Sequence, residues 1–212
     1  MSRRSAWPAV LAVTALVVTA CSSGNSGSQV EGLCGRPADS SAGKALREVL
    51  GTDEFSTEVI ESDERFLRKF KEDLKEWQGG TRSTSPSYLC TYLPEDSKER
   101  VVLDFAWSPA DEPGKQRATG GTFYDLNGAT GSIGHLSAGL YVKCELPGEL
   151  AGPAGKAVLR ADAALTINRG KTVDKETEAR QLSFLYLMTR EVTDALGCEN
   201  KPLAKDPVVK PS

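Results

Sequence analysis

Histidine is almost missing from this 212-residue chain: His135 stands alone. It is the one side chain that titrates near neutral pH without help from its surroundings. No Gly-x-Ser-x-Gly elbow surrounds a serine, and no Asp-x-Asp-x-Asp-Gly calcium loop occurs. There is no Cys-x-x-Cys pair, and the later cysteines are widely spaced. With a single histidine to help, they make a poor zinc site. A basic cluster is absent too: 26 Lys and Arg face 29 Asp and Glu. A mildly acidic chain of this kind does not suit nucleic acid or a polybasic grip on anionic lipid. Past the N-terminus, no apolar run approaches the ~20 residues of a spanning helix. No metal, cofactor or nucleic-acid partner is therefore expected, and no catalytic residue is assigned.

What the chain does have begins at its start. Arg3 and Arg4 precede an apolar segment from Ala6 to Val18, broken only by Pro8 and Thr14. This is a signal peptide, with a charged start and a short hydrophobic core. It ends in Val18-Thr19-Ala20-Cys21, which resembles the lipobox of bacterial lipoproteins. The resemblance implies diacylglycerol on the Cys21 sulfur, cleavage after Ala20, and a protein held by its lipid on the extracytoplasmic face of the cell membrane. A plain secretory peptide is the weaker alternative. Ser2-Arg3-Arg4 leaves the export route open between the general secretory and twin-arginine systems. Without residues 1–20 the formal net charge becomes −5, because only Arg3 and Arg4 are lost. Residues 21–33 then form a flexible tether, small, polar and glycine-rich from Ser22 to Gly32. As a random coil it would hold the domain on the order of 20 Å from the surface.

With Cys21 assigned to lipid, Cys34, Cys90, Cys144 and Cys198 remain. An even number in an exported chain indicates two disulfides, for which three pairings are possible. The half-by-half pairing, Cys34 with Cys90 and Cys144 with Cys198, is preferred. It closes spacings of 56 and 54 residues, each stabilising by about 4 kcal/mol on the chain-entropy argument.

The periodicity predicts one domain over 34–199 and a loose proline-bearing tail over 200–212. Ala42, Ala45, Leu46, Val49 and Leu50 mark a helix with caps at Asp39 to Ser41 and a stop at Gly51. Phe55, Thr57 and Val59 alternate as a short strand. Ser62 caps a charged helix carrying Phe66, Phe70, Leu74 and Trp77. A hairpin follows: Tyr88 to Leu93 around Cys90, then Val101, Leu103, Phe105 and Trp107 on one face. Residues 108–115 are expected as a turn, Thr119 to Leu126 as a strand, and Asn127 to Gly139 as a glycine-rich loop. Leu140 to Leu146 surrounds Cys144, and Leu159 to Ile167 alternates down a long strand. The longest helix is expected over Asp174–Leu196, with a stripe of Ala179, Leu182, Leu185, Tyr186, Thr189, Val192 and Leu196.

The Tyr-Leu-Cys-Thr-Tyr-Leu-Pro of the first half matches Tyr-Val-Lys-Cys-Glu-Leu-Pro in the second. The match fits either a pseudo-repeat of halves 34–126 and 127–199 or coincidence. In both cases strands flanked by helices predict an α+β domain, an antiparallel sheet with helices packed on one face. A tethered Cys21, a Cys34 ahead of a helix, Cys90 and Cys144 on strands and Cys198 beside a long helix resemble the DUF3558 family of small actinobacterial secreted lipoproteins. The resemblance spans most of the ordered chain and implies a surface lipoprotein, with no catalytic residues. Two features depart from that family's pattern. Tyr92, not tryptophan, stands two after Cys90, and Cys198 ends the last helix instead of starting it.

Two stretches invite sharper chemistry. Gly128-x-x-Gly131-x-x-Gly134 looks like a pyrophosphate-binding loop, but it lacks a long helix after it and the repeated strand–helix units of a nucleotide fold. Catalysis by His135 would need a nucleophile, for which Ser132 and Ser137 are the neighbours, and an orienting carboxylate. The aromatics Tyr88, Tyr92, Phe105, Trp107 and Tyr141 cluster on the hairpins. They suit a core, with an aromatic groove for a peptide, glycan or lipid as the other reading. Tyr88, Cys90 and Tyr92 are expected to share the inward face. Together these features point to a non-enzymatic binding or assembly module. The alternative is an envelope-directed hydrolase using His135 or a carboxylate pair.

Overall fold

A computed structural model describes residues 32–118 and 122–212. The signal peptide, Cys21 and the tether up to residue 31 lie outside the described residues. The chain enters at Gly32–Cys34, where the Leu33 amide donates to Asp63 (2.9 Å).

Helix α1 (Ser41–Leu50) starts where the Ser40 hydroxyl accepts from the Gly43 amide and ends at Gly51, whose φ of 74° is left-handed. Strand β1 (Phe55–Val59) leads into α2 (Asp63–Trp77). The hairpin β2 (Ser87–Pro94) and β3 (Val101–Pro109) comes next. Helix α3 (Glu112–Ala118) replaces the expected turn over 108–115. Pro113, read as a turn former, sits in its first turn, where a missing N–H costs nothing.

Strands β4 (Thr122–Leu126), β5 (Ala129–Gly134) and β6 (Ser137–Val142) form a meander. The expected glycine-rich loop over 127–139 is therefore mostly strand. Asn127 and Gly128, at φ of 55° and 93°, make its first tight turn. Gly131 is selected by close packing, since a Cβ there would lie 2.6 Å from Leu126 Cδ1 and 3.0 Å from Leu182 Cδ2. That is a structural use of the glycine, not phosphate binding.

The short α4 (Ala151–Ala154) precedes β7 (Ala157–Leu165) and the long α5 (Lys175–Leu196), capped by Asp174 and ended at Gly197. The tail does not hang loose. It forms β8 (Val209–Pro211) against β4, and Leu203 is buried. Tyr186 donates to the Lys205 carbonyl and Asn127 to that of Asp206. Its prolines interrupt helix and sheet interiors but leave an edge strand possible.

All strands pair antiparallel in one sheet of order β1-β2-β3-β7-β6-β5-β4-β8. Its centre is the nine-pair ladder of β3 and β7, Val101↔Leu165 to Pro109↔Ala157. Val101, Leu103, Phe105 and Trp107 point to the helical side and are fully buried. Phe66 and Phe70 of α2 meet Phe105 and Trp107 ring to ring at 5.7 and 4.8 Å. The Trp107 indole donates to the Phe70 carbonyl at 2.9 Å, so the largest core side chain leaves no orphan donor. Helix α5 is buried beyond its expected stripe, through Phe184 to Thr189 without a break. It lies between the sheet and α1, so both of its sides are covered. The architecture is the α+β antiparallel sheet that the sequence predicts, with α1, α2 and α5 packed on one face, while the short α3 lies against Tyr141 on the other.

Both disulfides have the half-by-half pairing. Cys34–Cys90 spans 5.7 Å between Cα atoms and Cys144–Cys198 spans 5.2 Å.

Candidate functional site

The second face of the sheet carries the polar phase of its two central strands. Where Leu103 and Phe105 point inward, Asp104 points outward, and in β7 the outward residues are Arg160 and Asp162. Register does the rest. Asp104 stands directly opposite Asp162, Asp162 opposite Gly139 of β6, and Gly139 opposite Ser132 of β5. In the next row Ala106, Arg160, Tyr141 and Thr130 are in line.

The missing side chain of Gly139 makes a niche between Ser132 and Asp162. A Cβ there would lie 2.7 Å from the Ser132 hydroxyl and 3.3 Å from Asp162 Oδ1. Arg160 Nε donates to Asp162 Oδ2 at 2.6 Å from the same side of the strand. Gln116 of α3 hydrogen-bonds Tyr141, and the Glu112 charge also acts on that phenol, so α3 shelters this end of the row.

Electrostatics follow from this enclosure. Burial, then the charge of Asp162, pushes the Asp104 carboxyl up to about 6, with Arg160 opposing. Asp162 is also raised by burial, while the Arg160 charge and hydrogen bond pull it back. Burial and the Asp162 charge push the Tyr141 phenol up to about 12. Two carboxyls directly opposed across central strands repel when both are ionised. Near pH 6 the site can hold or release one proton. It can also receive a cationic group. Among the described residues no three His, Cys, Asp or Glu side chains converge as a metal site.

The expected residues are distributed differently. His135 is exposed in the β5–β6 turn, and its carbonyl accepts from Asn168 Nδ2 at 3.1 Å. Among the described residues its ring has no hydrogen-bond partner. Ser132 faces the outer row, away from this turn. His135 does border a depression of about 450 Å³ with Thr122, Lys171 and Glu178. Glu178, however, is held by Lys175 (3.1 Å) and the Tyr124 hydroxyl, not by the imidazole. A second depression, of about 640 Å³, lies by Cys198 between Arg190, Asp194, Glu199 and Lys201. Neither is lined by Phe, Tyr or Trp.

Tyr92 is fully buried, its hydroxyl donating to the Cys34 carbonyl at 3.1 Å, and burial raises its phenol further than any other. Tyr88 departs from expectation. A bulge between Tyr88 and Cys90 puts both Leu89 and Cys90 in the core and turns Tyr88 to the outer face, 48 % exposed. Sequence reasoning missed Asp104, Arg160 and Asp162. The signal available was their phase, opposite to the apolar positions of their strands. No family model matches the chain, and no curated protein or solved structure does either.

Proposed function

We propose that this chain is a lipid-anchored protein of the extracytoplasmic membrane face that acts by binding. The observation that carries the reading is a division of cysteines. Four of five are consumed in two disulfides, which leaves Cys21, the residue a lipobox requires, as the odd one. Disulfides closing such long loops also favour an oxidising compartment. The domain behind the anchor supports a binding role. Helices α1, α2 and α5 cover one face of the sheet, and the polar row of Asp104, Asp162 and Arg160 lies on the other, with only the short α3 at its end.

The test is metabolic labelling of the intact protein with an alkyne fatty acid in its native envelope. Wild type should take up label and sediment with membranes. Cys21→Ser should do neither while keeping both disulfides. A labelled Cys21→Ser protein, or an unlabelled wild type, would end the anchored reading.

A second reading, an envelope-directed hydrolase, draws support from Asp104 alone, a carboxyl poised near pH 6 beside a second carboxylate. Of the two catalysts expected for it, the carboxyl pair is the better placed. Asp104→Asn would abolish such an activity.

A further inference from the structure

The sheet has two edges of unequal character. At β8 the edge is three residues long and carries Lys210 and Pro211, both of which discourage further pairing. At β1 it is Phe-Ser-Thr-Glu-Val, with neither proline nor lysine.

Which backbone groups of β1 are free follows from its register. Glu54 accepts from the Glu95 amide and Ile60 donates to the Leu89 carbonyl. The pairs Ser56↔Leu93 and Glu58↔Thr91 continue that phase. Even-numbered residues therefore bond to β2, and Phe55, Thr57 and Val59 turn their N–H and C=O groups outward. Among the described residues none of these three has a backbone partner.

The side chains at this edge are acidic and apolar. Asp53, Glu54, Glu58 and Glu61 border it, with Glu95 and Asp96 beside Glu54 in the β2–β3 turn. Arg47 answers Asp53 at 3.2 Å and Arg65 answers Glu61 at 3.8 Å, whereas Glu54 and Glu58 are exposed with no ion pair among the described residues. One oxygen of Glu61 is buried without a hydrogen-bond partner. Val59 and Ile60 are 41 % and 45 % exposed, among the most open large apolar side chains described.

We propose that β1 is a strand-addition site for an extended, lysine- or arginine-bearing segment of another protein. The three outward residues supply main-chain hydrogen bonds, Val59 and Ile60 supply apolar contact, and Glu54 and Glu58 select a cationic partner. A second copy of this chain fits less well. Antiparallel self-pairing about Thr57 would set Asp53 of one copy opposite Glu61 of the other, acid against acid, and would leave Glu54 and Glu58 facing Ile60 and Ser56 with no cation. The inference deepens the binding reading by naming a partner class, and it rests on that reading.

The experiment titrates the full chain, in detergent and whether or not it carries lipid, with a seven-residue peptide of alternating lysine and valine. Failure here is thus separable from failure of fatty-acid labelling. Thr57→Pro removes only an outward N–H and leaves the β1–β2 ladder intact, and should weaken binding roughly tenfold. The double variant Glu54→Lys, Glu58→Lys, which does not touch the backbone, should weaken it at least as much and remove its salt dependence. Hydrogen exchange should show the Phe55, Thr57 and Val59 amides fast in the free protein and slowed by peptide. Equal binding of a glutamate–valine peptide, or no binding of the basic one, would overturn the proposal. So would slow exchange at these amides without peptide, or a dimer that Thr57→Pro dissolves.

Discussion

Asp104 faces Asp162 across the two central strands, and this sets the acid response of the fold. Its folded pKa, about 6, lies above the model-compound value of 3.8. The folded state therefore binds the proton more tightly than the unfolded chain. The associated stability is fully present below pH 3.8 and is lost as pH rises through 6. Because the carboxyl is only partly buried, solvent screening reduces the full shift to on the order of 1 kcal/mol. Denaturant unfolding should thus show stability rising by about that amount from pH 8 to pH 5. Asp104→Asn should be more stable than wild type at pH 8 and should depend less on pH over this range. A wild-type profile that falls on acidification would show that the opposed carboxyls do not interact as described. None of this pair was legible in the sequence. Alternation gives the phase of each strand, but the chemistry arises from β3 lying beside β7 in one register, between residues 58 positions apart at Asp104 and Asp162. The bulge at Leu89 was hidden for a similar reason, since one extra residue in β2 leaves the local pattern of Tyr88, Cys90 and Tyr92 unchanged.

Elements with long apolar stripes, α1, α2 and α5, were legible almost to the residue, although at α2 Ser62 makes no side-chain cap bond and Gln78, not a glycine, takes the left-handed end. Ser40, Gly51, Asp174 and Gly197 are local signals whose physics needs no tertiary context. The glycine-bearing strands were not, because the same glycine serves a turn at 128 and a packing contact at 131. Gly131 gives the element-scale prediction. Gly131→Val would press on Leu126 and Leu182, both fully buried, and should cost about 2 kcal/mol by urea denaturation. Gly152→Ala, where a Cβ meets nothing within 4 Å, should change stability by less than about 0.5 kcal/mol. Equal effects would mean that α5 does not rest on β5. The tail was misread because its anchors are distant: Lys205 is held by Tyr186 of α5, Asp206 by Asn127, and β8 pairs with β4.

For the molecule as a whole, the two matched segments became two hairpin-like units, β2–β3 and β6–β7, abutting through β3 and β7. Cys90 lies in the first strand of one unit, and Cys144 lies two residues past the first strand of the other. Each disulfide stays within its own half, and the halves are joined by the β3–β7 and β4–β5 ladders and the shared helical layer. Removing either bridge, as Cys34→Ser with Cys90→Ser or Cys144→Ser with Cys198→Ser, should cost about 4 kcal/mol. Guanidinium midpoints of the two double variants should fall by similar amounts. A loss confined to one pair would show that the halves do not share the load.

The position of the first bridge has a mechanical consequence. Under the proposed anchoring at Cys21, drag on the domain would pass through the N-terminal segment, and Cys34 is the first disulfide-bonded residue among the described ones. From there the force passes through sulfur to Cys90, within β2. The 56 residues between them, with α1, β1 and α2, lie outside the load path and cannot be drawn out as slack. Tension therefore arrives at a hydrogen-bonded strand inside the sheet, while a helix end, which would peel turn by turn, is bypassed.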